Sequence, residues 1–443
     1  MPETITRSER ARLFPILSEK SIEGRTLSVF LSTLTHVRPL AAALLAPLGQ
    51  RIGTTARLRA YTEVSFKVEK GESRDRPDGL IVIDVGKRRW TALVEAKVRK
   101  NELNDDQLGR YLAVAKANKI DAVITISNQF SAVPHHHPVS VNAPKGVELF
   151  HFSWMHILTE AQLLVMNEAV DDADQLYVLR EFIRFISHDS AGVQSYTQMP
   201  AAWSDICNAV QAGAAMQRGD VVTDVVEAWQ QECRDLSLIL SRQLGTPVNQ
   251  KLTRAEIKNP EIRVKNDGVE LCNDHRLKVT LEVPDAASPV NICADLRRRT
   301  IQVSMSLTAP GDKKSNRARM NWLLRQMPSD DIASLYVRAQ WPGSSPPTQQ
   351  SLVALFNEPD LIAEGKEKMT LTGFEILHIC DLGGRFAQRR TFIDELEMAV
   401  PAFYEHVGQH LKAWAKPAPK LEQSRAEPDS VSPSALSEDD RDM

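Results

Sequence analysis

The stretch RPDGLIVIDVGKRRWTALVEAKV, residues 76–98, decides the predicted fold. Two apolar runs, 79–85 and 90–98, flank a short polar segment that begins with glycine, a pattern that predicts two strands joined by a tight turn. Alternate side chains of a strand share one face, so Glu95 and Lys97 project together while their neighbours pack on the other side. The stretch therefore predicts a β-hairpin that carries an acid and an amine on one face.

Asp78 precedes the first of these strands, and the hairpin is expected to bring it beside the end of the second strand. Two carboxylates held close together, here Asp78 and Glu95, raise each other's pKa unless a cation lies between them. Mg²⁺ commonly takes one or two carboxylates together with waters and phosphate oxygens. The ammonium of Lys97 can hold an attacking water and offset charge that develops on a phosphoryl oxygen. These residues predict metal-assisted phosphodiester hydrolysis, and the alternative is a Glu95–Lys97 ion pair on a solvated sheet face.

Periodicity extends the pattern on both sides of the hairpin. Residues 21–48 form an amphipathic helical stretch, and residues 62–68 alternate as a strand does. After the hairpin, a helix is expected to begin near Asn104, a residue favoured at helix N-termini. Residues 122–127 are apolar and predict a buried strand. The predicted order is helix, three strands, helix, strand.

This order, together with the polar residues, resembles the PD-(D/E)xK nuclease superfamily, whose restriction-endonuclease-like fold has an αβββαβ core. The resemblance rests on Asp78, on Glu95-Ala96-Lys97 in the next strand and on Gln107 in the following helix. It implies that Asp78, Glu95 and the Ala96 carbonyl hold Mg²⁺, with Mn²⁺ as a substitute. It further implies that Lys97 activates the water and that Gln107 helps to position water or phosphate.

Many branches of this superfamily also place a glutamate on the first helix. Glu23 occupies a comparable place here, and Glu63 is its rival. The resemblance leaves the choice between the two open.

The hairpin region is basic although the whole chain is not. The formal net charge is −3, whereas residues 51–100 contain 13 Lys and Arg against 7 Asp and Glu. Such a surplus is typical of contacts with a phosphate backbone, so DNA is the expected partner and RNA stays open. The basic residues nearest to the predicted site are Arg74, Arg76, Lys87, Arg88, Arg89, Arg99 and Lys100.

Composition narrows the cellular setting. Five scattered cysteines without a C-x-x-C pair exclude a disulfide scaffold or a zinc ribbon and indicate a cytoplasmic protein. The longest apolar stretch, residues 40–48, is about half of what a membrane span requires. No Walker-type phosphate loop occurs in the sequence.

The chain of 443 residues is long enough for about three domains. An α/β nuclease-like domain is predicted at 1–165, a helical connector at 166–245, an α+β domain at 246–415 and a disordered acidic tail at 416–443. Within the α+β domain, strands are predicted at 276–283, 300–307 and 334–341 and helices at 317–327, 352–356 and 392–414.

Other notable residues receive structural interpretations. The prolines around residues 135–137 predict that this run of three histidines is a surface loop and not a metal site. The arginine run 297–299, with Arg317, Arg319 and Arg325, is interpreted as a solvated surface, with nucleic-acid binding as the alternative. The tryptophans are interpreted as core anchors.

The leading functional hypothesis is a Mg²⁺-dependent DNA nuclease that acts in phage defence or in a stress or repair response. The alternative is a catalytically silent DNA-binding or regulatory protein that retains the nuclease fold. The C-terminal domain is open as a binding unit for a protein partner or an effector, and a homodimer that cuts both strands is compatible with the sequence.

Overall fold

The computed structural model of the chain describes residues 5–15, 17–18, 21–68, 71–72 and 76–416. Arg74 and the predicted tail beyond residue 416 lie outside the described residues. Within them the chain is a mixed α/β protein built around two sheets.

The first sheet belongs to the N-terminal part of the chain. Its strands in the described residues are β1 (Ile5–Arg10), β2 (Arg57–Val68), β3 (Gly71–Glu72), β4 (Gly79–Val85), β5 (Arg88–Ala96), β6 (Ala122–Ser127) and β7 (Glu148–Ser153). The helices around it are α1 (Ile22–His36), α2 (Arg38–Leu45), α3 (Asp105–Ala117), α4 (Trp154–Met166) and α5 (Ala173–Ile186). The strand order is β1-β2-β4-β5-β6-β7, with β3 paired to β2. The strands are antiparallel from β1 to β5, and β5, β6 and β7 run parallel, with α3 as the crossover from β5 to β6.

Apolar layers cover both faces of this sheet. On one face α1, α4 and α5 meet around Phe30, Trp154 and Phe182. On the other face α3 contributes Leu108 and Leu112. Since both faces are covered, β4 and β5 are buried along most of their length, which explains their nearly continuous apolar sequence.

The predicted hairpin is confirmed. β4 pairs with β5 through a turn at Gly86, whose φ of +59° is a left-handed conformation that glycine adopts without strain. β6 and the start of α3 after Asn104 also match the prediction. β5 ends at Ala96 and not at residue 98, so Lys97 is the first residue beyond the strand.

Two predicted elements differ from the structure. Residues 21–48 do not form one helix, because the axis bends by 104° between α1 and the segment that starts with α2. Pro39 in the first turn of α2 lacks an N–H group and so begins a new helix instead of continuing α1. In β2, Glu63 has a φ of +54°, and Tyr61 and Val64 therefore face the same apolar layer in spite of the alternating sequence.

The second sheet belongs to the C-terminal part of the chain. Its described strands are β8 (Asn249–Gln250), β9 (Arg276–Glu282), β10 (Val290–Asp295), β11 (Thr300–Thr308), β12 (Leu335–Gln340), β13 (Thr348–Ser351) and β14 (Gly373–Asp381). The helices of this part are α6 (Ala202–Gln211), α7 (Asp220–Leu244), α8 (Arg254–Lys258), α9 (Pro260–Asp274), α10 (Asn316–Leu324), α11 (Leu352–Asn357) and α12 (Arg389–His406). The order is β13-β12-β14-β11-β10-β9-β8, and all neighbours are antiparallel. The three predicted strands and two of the three predicted helices correspond to β9, β11, β12, α10 and α11, whereas α12 ends eight residues before the predicted limit of 414.

The helical stretch 166–245 contributes to both hydrophobic cores. α5 packs on the first sheet, whereas α6 and most of α7 pack with the second. α7 reaches both, because Trp229 belongs to the second core and Leu238 to the first. Trp154, Trp203 and Trp229 are fully buried, as predicted for core anchors.

Among the described residues, no single helix is long and apolar enough to cross a bilayer, and only α1 and α2 taken together, as a sharply bent pair, satisfy that criterion by length and composition.

Candidate active site

The end of β5 positions the central acid of the site. Leu93 packs towards α3, whereas Val94 and Ala96 pack in the core on the α1 side, so the predicted division of the two faces is confirmed. Glu95 shares the face of Leu93 and is only 3% exposed. A carboxylate is thus buried at the point where an apolar strand ends.

Lys97 lies just beyond the strand and contacts two carboxylates. Its Nζ donates to Glu95 Oε1 at 2.5 Å and lies 3.3 Å from Glu23 Oε1. The lysine side chain is 14% exposed, and burial alone would lower its pKa. The charges of Glu95 and Glu23 outweigh burial and raise the Lys97 pKa above its ordinary value, so the amine is a charged donor at neutral pH.

α3 brings an amide to the same carboxylate. The side chain of Asn104 caps this helix by accepting from the Gln107 N–H at 3.0 Å, as predicted for an N-cap. Gln107 Nε2 donates to Glu95 Oε1 at 2.8 Å and to Tyr111 Oη at 2.9 Å. Tyr111 Oη in turn donates to the backbone oxygen of Arg76, next to Pro77-Asp78.

Tyr111 is the site residue that the sequence analysis missed. It is not among the residues predicted for the site, and its ring is buried among the apolar residues of α3. Its spacing of four residues from Gln107 places both on one helix face and is the signal that points to its polar role.

Asp78 reaches the site from the start of β4. Its Oδ2 accepts from the Ala96 N–H at 3.0 Å, so the hairpin brings it beside the end of β5 as predicted. Burial raises the pKa of Asp78 well above its ordinary value, and the nearby Glu95 carboxylate raises it further. The Ala96 N–H and the Lys97 ammonium offset only part of this effect.

The geometry favours Glu23 over Glu63 as the additional acid. Glu23 lies in the first turn of α1, and its Oε2 accepts from Asn101 Nδ2 at 3.2 Å in addition to its ion pair with Lys97. Glu63 is exposed on β2, and its backbone N–H donates to the Asp78 carbonyl oxygen. Within the described residues, no hydrogen bond or ion pair brings the Glu63 carboxylate to Lys97.

The site has an unsatisfied oxygen. Glu95 Oε2 is buried and lacks a hydrogen-bond partner in the described part of the chain, and Asp78 lies close enough to repel it. A cation would remove both costs. The described residues contain no group of three or more His, Cys, Asp and Glu arranged to hold a metal ion. The carboxylates that could share a cation here are Asp78 and Glu95, and Mg²⁺ is usually held by one or two carboxylates.

The basic residues divide into two groups. Arg99 and Lys100 are exposed and directly follow Lys97, and Arg76 is exposed two residues before Asp78; these three form the first group. The Lys87–Arg89 group lies at the turn end of the hairpin, and the seven residues of β4 separate it from Asp78 by roughly 20 Å. The predicted phosphate contacts near the site therefore reduce to the first group, since Arg74 lies outside the described residues.

The histidine run lies in a loop, as predicted, with His135 exposed and the other two histidines turned inwards. His136 is buried, and its Nε2 lies 3.0 Å from the Ile257 carbonyl oxygen. His137 Nε2 lies 2.7 Å from Thr125 Oγ1, and burial lowers the pKa of His137 to about 4. These neutral rings attach the loop to β6 and to the C-terminal part of the chain. The expectation of a surface loop therefore holds for His135 and fails for His136 and His137, because it considered only the flanking prolines and not the partners in space.

Comparison with known proteins gives no relative: no protein-family model matches the chain, and no curated protein is significantly similar to it. The chemistry of the site is therefore inferred from its own residues.

Proposed function

We propose that the protein is a Mg²⁺-dependent nuclease that hydrolyses phosphodiester bonds of DNA. The observation that carries this proposal is the convergence of Asp78, Glu95, Lys97 and Gln107, with one Glu95 oxygen left without a partner. The restriction-endonuclease-like fold is part of the proposal. It is supported by the order α1, β2, β4, β5, α3, β6 of the elements that surround these residues, with α2 inserted between α1 and β2 and the two-residue β3 between β2 and β4.

Asp78, Glu95 and the Ala96 carbonyl are the groups that would hold Mg²⁺, and the bound ion would supply positive charge to the phosphoryl oxygens and acidify a water. For Ala96, the contact with the site is made by the backbone N–H, which donates to Asp78 Oδ2 and so fixes the Asp78 carboxylate.

The remaining side chains orient the reacting groups and stabilise the charge that develops during hydrolysis. Lys97 is charged at neutral pH, so it acts as a donor that orients the attacking water and offsets charge on the transferred phosphoryl group. Gln107 fixes the orientation of Glu95 and is itself held by Tyr111. Exposed Arg99 and Lys100 provide cations for phosphates that flank the cleaved bond.

A catalytically silent DNA-binding protein is the second candidate, and one observation favours it. The Lys97 ammonium already pairs with Glu95 at 2.5 Å and so neutralises part of the charge that would attract a metal. Under this alternative, DNA binding depends on salt and not on Mg²⁺, and no strand is cut.

The test is cleavage of supercoiled plasmid by the full-length protein with and without Mg²⁺. Wild type is expected to nick the plasmid only with Mg²⁺ or Mn²⁺, and Lys97→Ala is expected to lose about 100-fold or more in rate. Lys87→Ala is the matched control, because Lys87 is an exposed lysine of the same hairpin at its opposite end. Equal nicking by wild type and Lys97→Ala would refute the proposal, and salt-dependent binding without nicking would favour the silent alternative.

A further inference from the structure

A cavity of about 490 Å³ lies between the two parts of the protein and has no residue in common with the candidate active site. Its walls are one face of α7, one face of α9 and the loop that follows β6. Cavities of about 300–1,000 Å³ are typical of small-molecule sites, which occur preferentially between structural units. The nuclease chemistry proposed above gives this cavity no role.

The cavity contains a buried cation that makes no close ion pair, with the carboxylates of Glu256 and Asp267 in electrostatic range of it. Arg263, on α9, is only 8% exposed and lines the cavity. Its ion pair joins Nε to Asp267 Oδ2 over 3.6 Å, too long for a hydrogen bond, and that oxygen already accepts from Gln230 Nε2 at 2.7 Å. Within the described part of the chain, the guanidinium makes no hydrogen bond. A guanidinium has five N–H donors, and a phosphate or carboxylate can take two of them at once.

The remaining lining indicates that the ligand is larger than a bare anion. Val222, Val264 and Phe130 give apolar surface near Arg263. Gly268 lies inside α9, where glycine weakens a helix, and a Cβ there would meet only Val222 Cγ1 at 3.7 Å. The lack of a side chain at Gly268 therefore leaves more open volume at this wall of the cavity.

The rim carries charges of both signs. Arg218 and Lys265 are exposed cations, and Glu227 and Glu261 are exposed carboxylates. An anionic group is attracted to the buried arginine, whereas hydroxyl groups of a ligand can donate to the carboxylates. The combination suits a molecule with one anionic end, an apolar flat body and hydroxyl groups.

We propose that this cavity binds a mononucleotide. The phosphate pairs with Arg263, the base lies against Val222 and Val264, and the ribose hydroxyls face the carboxylates of the rim. The proposal is independent of the nuclease activity, because binding is measured without DNA and without Mg²⁺.

The test is isothermal titration calorimetry of the full-length protein in EDTA with AMP, GMP, CMP and UMP, and separately with adenosine and inorganic phosphate. At least one nucleotide is expected to bind at one site per chain with a dissociation constant below about 1 mM. Arg263→Met is expected to weaken that binding about 10- to 100-fold. Arg317→Met is the matched control, because Arg317 is an exposed arginine paired with Asp360 in another part of the fold.

Two further variants keep the test decisive if Arg263→Met does not fold. Thr223→Trp, on the α7 wall, is expected to abolish binding by filling the cavity, whereas Gly268→Ala is expected to retain it. The proposal is overturned if no nucleotide binds, or if Thr223→Trp binds as well as wild type. If inorganic phosphate binds as tightly as every nucleotide, the proposal that the cavity recognises the nucleoside part of the ligand is overturned.

Discussion

Charge balance around Lys97 is the main property of the candidate site at the scale of single residues. One ammonium serves Glu95 and Glu23 directly, and Asp78 lies within electrostatic range of the same group. The protein can relieve the surplus of negative charge by keeping a carboxyl protonated, as the raised pKa of Asp78 indicates, or by binding a cation. Removing the ammonium distinguishes these possibilities.

Lys97→Met is expected to destabilise the protein by about 3–5 kcal/mol, because Glu95 is left buried without its charged partner. If Asp78 and Glu95 hold a divalent ion, 10 mM Mg²⁺ will restore part of this loss. The gain in melting temperature on adding Mg²⁺ will then be larger for Lys97→Met than for wild type, as thermal unfolding without DNA can show. Lys87→Met serves as the control and should behave as wild type. An Mg²⁺ effect that is absent from both Lys97→Met and wild type would contradict a metal site at these carboxylates.

The sequence was sufficient to predict the positions of some of these site residues and not of others. The alternation at 93–97 places Glu95 on a defined face, because strand geometry is local. The choice between Glu23 and Glu63 was not accessible, since it depends on how α1 packs 74 residues away from Lys97 in the chain. Tyr111 was not predicted, because the partners of its hydroxyl, Gln107 and the Arg76 backbone, are brought to it only by the folded chain.

At the scale of elements, prediction succeeded where local sequence signals decide the structure and nothing opposes them. The hairpin and α3 follow from alternation, a glycine turn and an N-cap. It failed where a single backbone constraint overrides periodicity, as Pro39 does between α1 and α2 and as Glu63 does within β2. β7 was missed because the alternation of its few residues is brief, and its burial depends on pairing with β6.

Residues 99–101, which follow β5, and residues 189–194, which follow α5, form a groove beside the candidate site. Arg99 N donates to the Gly192 carbonyl oxygen at 2.7 Å, and Asn128 Nδ2 donates to the carbonyl oxygens of both residues at 3.0 Å. Gly192 has a φ of +74° and would bring a Cβ within 3.1 Å of Val98 Cβ, so glycine is required at this close approach. The groove measures about 630 Å³, and Lys100 lies on its wall.

Arg99→Ala/Lys100→Ala is expected to weaken DNA binding and to lower its salt dependence if this groove receives the phosphate backbone. Each lost phosphate contact reduces the slope of log K against log salt by about 0.9 for duplex DNA, so the double variant should lose about 1.8. Fluorescence anisotropy with a labelled duplex in EDTA, at several salt concentrations, measures this slope. Arg297→Ala/Arg298→Ala is the matched control, because that pair is exposed in the turn between β10 and β11. Equal slopes for the two double variants would exclude the groove from the DNA path.

At the scale of the whole molecule, α7 connects the two cores. It contributes Leu238 to the first core and Trp229 to the second, and α5 also packs on the first sheet. Cutting the chain after residue 165 would expose the apolar face that α5 covers around Phe182. Full-length variants are therefore the appropriate material for testing whether the C-terminal part controls the candidate site.

α7 and α12 also enclose buried carboxyl groups. Asp235 is fully buried; its Oδ2 accepts from the Tyr196 N–H at 2.6 Å, but its Oδ1 has no hydrogen-bond partner in the described residues. Burial raises the pKa of Asp235 to about 6, against the opposing effects of the Tyr196 N–H and of Arg242 and Arg234. Glu397 on α12 has its pKa raised to about 7 by burial and by the charge of Asp235. The two groups therefore hold protons in the folded state at a pH where the unfolded chain has lost them.

This difference predicts that the contribution of these two carboxyl groups to stability falls as the pH rises from about 4 to 7, because they bind more protons in the folded state than in the unfolded state in that range. Buried histidines act in the opposite direction, since burial lowers the pKa of His137 to about 4 and the pKa values of His151 and His156 to about 3. With a folded pKa of about 6 against an ordinary 3.8, Asp235 alone accounts for at most about 3 kcal/mol. The test therefore compares variants with wild type by urea unfolding at pH 5 and at pH 8. Asp235→Asn retains an acceptor for the Tyr196 N–H and removes the titrating carboxyl, so on going from pH 5 to pH 8 its midpoint should rise more, or fall less, than that of wild type, whereas Glu102→Gln, at an exposed position, should follow wild type. An equal change of midpoint in wild type and Asp235→Asn would show that Asp235 is not a group that titrates on unfolding.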